Sequence, residues 1–63
     1  MIYIDIVYKS KITGKWMTDT REFSNKENAL RGMYAMQSKN IIIDGWRCDD
    51  PTDNEWLTHR FKL

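Results

Sequence analysis

Ile2, Ile4, Ile6 and Tyr8 alternate with Tyr3, Asp5, Val7 and Lys9 at the start of the chain. A period of two in β-branched and aromatic residues sends alternate side chains to opposite faces and predicts a strand. Ser10–Lys15 then carries a turn, with Gly14 free to take the positive φ that a tight reversal requires. A second strand, from Trp16 to about Phe23, sets Trp16, Thr18, Thr20 and Glu22 against Met17, Asp19, Arg21 and Phe23. The register of this hairpin has two solutions. A short Thr13–Gly14 loop pairs Ile4 with Phe23 and Ile6 with Arg21. A longer loop with a bulge at Gly14 turns Trp16 and the threonines toward the isoleucines instead. Trp16 is core or exposed according to which is realised.

The period changes at Ser24. Ser24-Asn25-Lys26-Glu27 fits the capping box, in which the Ser24 hydroxyl accepts from the Glu27 backbone N–H and the Glu27 carboxylate reaches back. At a helical period Ala29, Leu30, Met33, Tyr34 and Met36 share one side, and Glu27, Asn28, Arg31, Ala35 and Ser38 the other. An amphipathic helix running to Lys39 is expected, packed by that apolar face on the chain's own sheet. Gly32 interrupts it at a cost of roughly 1 kcal/mol against alanine. It is either tolerated there or required by a close approach of helix to sheet. Asn40 suits the left-handed conformation after the last turn.

Ile41-Ile42-Ile43 is a short continuous apolar run of the kind found in the middle of a sheet. Asp44-Gly45 could form a tight hairpin turn, but the flanking strands would be very short, and a strand from Ile41 to Cys48 with a bulge or bend at Gly45 is preferred. Asp49–Asn54 is dense in turn formers and reads as a loop. A last strand, Glu55–Phe61, sets Trp56, Thr58 and Arg60 against Leu57, His59 and Phe61. The expected order is β-β-α-β-β: an α+β domain over residues 1–63, with a four-stranded, mostly antiparallel sheet and one helix on one face.

Composition narrows the chemistry. At 63 residues the chain is near the lower limit for folding without disulfides or metals, so its aromatics must supply much of the core. Cys48 is the only cysteine, which excludes an internal disulfide and a Cys/His zinc site and suits a reducing cytoplasm. Neither a signal peptide nor a membrane span is expected. The net charge of +1 makes no general case for nucleic acid, but its distribution is uneven. Lys9, Lys11 and Lys15 cluster in the hairpin, whereas Asp44, Asp49, Asp50, Asp53 and Glu55 cluster later with only Arg47 among them.

No catalytic residue, cofactor or metal is expected. His59 and Cys48 lie on separate predicted strands with nothing to bring them together, and the spacing of the aspartates does not match a calcium loop. The aromatic excess without catalytic motifs points to a binding protein. The candidate contact residues are Trp46, Arg47 and Trp56, with Lys11 and Lys15 as a steering patch. The alternative is a small nucleic-acid-binding module built on the Lys9–Trp16 hairpin, in which Lys9, Lys11 and Lys15 hold phosphates and a sheet face with Tyr3, Trp16, Trp46 or Trp56 stacks bases. A third reading is a homodimer that buries an exposed sheet surface or edge.

Phe23-Ser24-Asn25-Lys26-Glu27-Asn28-Ala29-Leu30, followed by Ile41-Ile42-Ile43-Asp44-Gly45-Trp46-Arg47, resembles the hairpin–helix–strand plan of small accessory proteins of tailed phages. Among these are inhibitors of bacterial RNA polymerase and antitoxins against host toxins. The resemblance implies a stoichiometric binder that blocks or redirects a bacterial host protein in the host cytoplasm.

Overall fold

The computed structural model describes residues 1–61. Three antiparallel strands, β1 (Ile2–Ser10), β2 (Trp16–Phe23) and β3 (Ile41–Cys48), form one sheet in the order β2-β1-β3. Two helices, α1 (Lys26–Gln37) and α2 (Pro51–Arg60), complete the described chain. The α+β class is as expected. The fourth strand is not: Glu55–Arg60 is the greater part of α2, which begins at Pro51.

The residues of α2 explain the difference. Asp50 is its N-cap, and the carboxylate accepts from the backbone N–H groups of Thr52 (2.8 Å) and Asp53 (3.2 Å). Pro51 stands at the first helical position, where it lacks only a donor that no helix would use. Asp53 in the first turn and His59 and Arg60 in the last complement the helix dipole. The same Asp, Pro and Thr are turn formers, and as such they read as a loop.

The hairpin register matches neither expected loop. The Ser10 N–H donates to Lys15 O (3.1 Å) and the Gly14 N–H to Ser10 O (2.8 Å), which leaves Lys11–Gly14 as the reversal. Gly14 supplies the positive φ, 74°. Ile2 therefore pairs with Phe23, Ile4 with Arg21, and Lys9 with Trp16. Trp16 and the threonines stand on the face opposite the isoleucines.

On β3 the ladder shifts between Val7, which pairs with Gly45, and Tyr8, which pairs with Ile43. Asp44 is the extra residue of a bulge, as the glycine suggested. The strand's bounds agree with the expectation, but its place does not. β1 is the central strand and β3 an edge.

Helix α1 starts one residue later than the capping box implied. Asn25, not Ser24, is the N-cap, and its Oδ1 accepts from the Asn28 N–H at 2.8 Å. Ser24 Oγ instead accepts from the Asn28 side-chain amide. Both types cap well, so the sequence leaves two adjacent solutions. Asn40 takes the left-handed conformation expected of it, with φ 61°.

The core lies on one side of the sheet. Ile2, Ile4 and Ile6 meet Ala29, Met33 and Met36 of α1, Leu57 of α2, and Ile43, Cys48 and Phe61. The reason for Gly32 is now visible. A β-carbon there would fall within 2.9 Å of Phe23 Cζ and closer still to Cε1, so glycine permits α1 to lie on β2.

Candidate functional site

Because both helices pack on the isoleucine side, nothing described covers the other face of the sheet. Its residues fall in cross-strand rows. Tyr3 pairs with Glu22; Asp5 with Thr20 and Arg47; Val7 with Thr18 and Gly45; Lys9 with Trp16 and Ile42. All of these except Lys9 and Gly45 are exposed, with Trp16 at 57%, Tyr3 at 47%, Ile42 at 45% and Val7 at 37%. A tryptophan more than half in water on a regular strand is unusual for so small a chain, where apolar area is scarce.

The charges on this face are sorted by end. Lys9 lies with its Nζ 5.7 Å from the Trp16 ring centroid, a cation–π contact, and the reversal adds Lys11 and Lys15. No carboxylate occurs between Lys9 and Trp16. At the other end stand Glu22 and Asp49, and in the next row Asp5 lies beside Arg47. Asp49 is fixed by exchange with Tyr3: the Tyr3 N–H donates to Asp49 Oδ1 (3.1 Å) and the Asp49 N–H to Tyr3 O (3.0 Å). The Tyr3 amide holds the Asp49 carboxyl below its ordinary value of 3.8. Asp5 Oδ1 accepts from the Thr20 hydroxyl at 2.6 Å. Tyr3, Asp5, Arg47, Cys48 and Asp49 line an open depression of about 140 Å³.

The structure does not bring the candidate contact residues together. Arg47 lies on the uncovered face, and Lys11 and Lys15 are exposed beside its basic end. Trp46, its sequence neighbour, points the other way and packs edge-on against Phe61 at 5.0 Å. Its buried indole Nε1 has no acceptor among the described residues. Trp56 is half-buried on α2, between Lys26 Nζ (5.2 Å) and Arg60 Cζ (4.2 Å). Trp46 thus packs β3 against the end of α2, and Trp56 packs α2 against α1. Val7 and Ile42 were not among the contact candidates, and Tyr3 and Trp16 entered only through the nucleic-acid alternative. The odd-numbered positions of β1 carried the signal, but their row partners depend on a register that the sequence leaves open.

Cys48 is buried, and burial pushes its thiol up, while its backbone N–H donates to Asn54 Oδ1 at 2.9 Å. That tie joins the end of β3 to α2. His59 is exposed on α2 beside Glu55, at 3.8 Å. Among the described residues no group of three or more His, Cys, Asp and Glu is placed to hold a metal. No described helix is long and apolar enough to cross a membrane.

Comparison of the chain with protein-family models, with curated proteins and with solved structures finds no match.

Proposed function

We propose that the chain is a non-enzymatic protein-binding domain whose working surface is the uncovered sheet face. The observation that supports this is the exposure of Tyr3, Val7, Trp16 and Ile42 together on one face, between ends of opposite charge. Aromatic anchors with charged flanks are the composition of interface hot spots. The partner this face fits is a protein surface with an apolar centre, acidic where it meets Lys9, Lys11 and Lys15, and basic where it meets Asp5, Glu22 and Asp49. If the resemblance to phage accessory proteins holds, that partner is a bacterial host protein. The buried, raised thiol of Cys48 suits packing rather than nucleophilic attack. Nucleic acid on Lys9–Trp16 is less well supported, because Asp5, Glu22 and Asp49 on the same face repel phosphate.

The test uses the whole chain as bait in a bacterial lysate, with nuclease and high salt, and identifies what is retained by mass spectrometry. The expected result is a discrete protein held by the wild type and lost with Val7→Lys. Capture that needs nucleic acid, or a protein held equally by wild type and Val7→Lys, overturns the reading.

A further inference from the structure

We infer that β2 is an open sheet edge and that its occupant is β2 of a second copy of this chain, paired antiparallel about a two-fold axis at Thr20. The inference goes beyond the reading of the uncovered face, because it concerns the edge of the sheet and leaves that face free.

The two edges of the sheet differ. The Lys11 N–H donates to Asn40 O and the Asp49 N–H to Tyr3 O, so the odd-numbered residues of β1 bond toward β3. Its even-numbered residues bond toward β2, as the bond from the Ser10 N–H to Lys15 O begins. The ladder is unbroken from Lys9 and Trp16 to Ile2 and Phe23, so Met17, Asp19, Arg21 and Phe23 are the β2 residues that bond to β1. The backbone groups of Trp16, Thr18, Thr20 and Glu22 therefore point out of the sheet. Bulges, prolines and lysines are the usual guards of an edge, and Trp16–Phe23 contains none of them. The β3 edge is guarded: its ladder is interrupted at Asp44, and the Cys48 N–H is taken by Asn54 Oδ1 of α2 at 2.9 Å.

The side chains select both the partner and the register. Asp19 and Arg21 lie on the helix side of β2, where Arg21 Nε meets Asp19 Oδ2 at 2.8 Å with both side chains open to solvent. Met17 is 50% exposed on the same side, and Phe23 is half-buried. An axis at Thr20 sets Asp19 of each copy opposite Arg21 of the other, and Met17 opposite Phe23. On the uncovered face Thr20 meets its own equivalent, Thr18 meets Glu22, and Trp16 meets Ser24. Unlike charges directly across a pair of strands stabilise it and like charges destabilise it. An axis at Asp19 opposes two carboxylates, one at Arg21 two guanidiniums, and one at Glu22 two carboxylates again. An axis at Thr18 sets Lys15 opposite Arg21. Of these only Thr20 opposes unlike charges without like ones, and the two-fold makes each pairing twice.

Such a dimer joins two three-stranded sheets into one and sets the two uncovered faces side by side. Two short strands paired by their edges bury less than a standard interface, so a dissociation constant on the order of 100 µM is expected.

Sedimentation velocity on the full chain, from about 1 µM to about 1 mM, reads the state directly. The wild type should pass from monomer to dimer over that range, and the amides of Thr18, Thr20 and Glu22 should gain protection from exchange as it does. Asp19→Lys sets a cation opposite Arg21, and Arg21→Asp sets a carboxylate opposite Asp19; each alone should weaken the dimer about tenfold. A mixture of these two chains restores unlike charges at both positions and should associate more tightly than either alone. One chain with both changes should dimerise as the wild type does. Loss of the Asp19–Arg21 pair within a chain predicts no rescue by mixing. Val7→Lys, on the uncovered face of the central strand, should leave the dimer intact. A wild type monomeric throughout, a mixture no tighter than its components, or a dimer lost with Val7→Lys overturns the inference. Capture of a foreign protein through Val7 is independent of the first two results, so the binding-domain reading stands or falls separately.

Discussion

Gly32 sits inside a helix at a cost of roughly 1 kcal/mol in propensity, yet a β-carbon there would collide with the Phe23 ring of β2. Gly32→Ala should therefore destabilise, by about 1 kcal/mol net, because displacement of the Phe23 ring outweighs the propensity gained. In the Phe23→Leu background the same change should cost less, a coupling that denaturant titration of the double-mutant cycle measures. The sequence showed that Gly32 was anomalous but not why, since the explanation lies with a residue on β2. Trp46 teaches the converse. Its Nε1–H is buried without an acceptor among the described residues, so Trp46→Phe should be nearly neutral where Trp-to-Ala costs are about 3–5 kcal/mol. Asp49 links a single residue to pH. Its folded value is depressed, so its contribution is full above the unfolded value of 3.8 and is lost as pH falls through the folded one. Asp49→Asn keeps an oxygen for the Tyr3 amide and removes the titration, and stability below about pH 4 should then fall less steeply with acid than in the wild type. Denaturant melts at a series of pH values check this.

At the scale of elements, α2 depends on its first turn. Asp50→Ala should cost about 1 kcal/mol, and Leu57→Ala, which empties the helix's one fully buried position, about 2–5 kcal/mol. Thermal melts compare them. This helix was the element least legible in the sequence. Over ten residues with one buried side chain, Trp56, Leu57, Arg60 and Phe61 satisfy a helical period as readily as alternation satisfies a strand. The Asp-Pro start favours a helix only if Asp50 is taken as a cap rather than a turn former. β1 was legible from its alternation, and the bulged β3 because a turn at Asp44-Gly45 would leave very short strands, although its continuous apolar run suggested the middle of the sheet and it lies at an edge. β2 was legible as a strand, but its partner rows were not, since Ser10–Lys15 contains several places at which to reverse. Because those rows decide what stands beside Tyr3 and Val7, the candidate site was hidden by the same ambiguity. The tryptophans drew attention instead, and two of the three serve the packing of α2.

At the scale of the molecule, the described residues form three strands and two helices, and both helices lie on one side of the sheet. A layered domain normally covers whichever sheet face carries apolar residues, and here a face with Tyr3, Val7, Trp16 and Ile42 is left to solvent. The sorting of lysines to one end and carboxylates to the other gives that face direction as well as adhesion. The most direct test of this account places a photo-crosslinking amino acid at position 7, in the centre of the face, and a second at position 31, exposed on α1. Discrete protein adducts, with this chain or another, are expected from position 7 and none from position 31. Equal yields from both positions, or adducts at position 7 that nuclease removes, would contradict it.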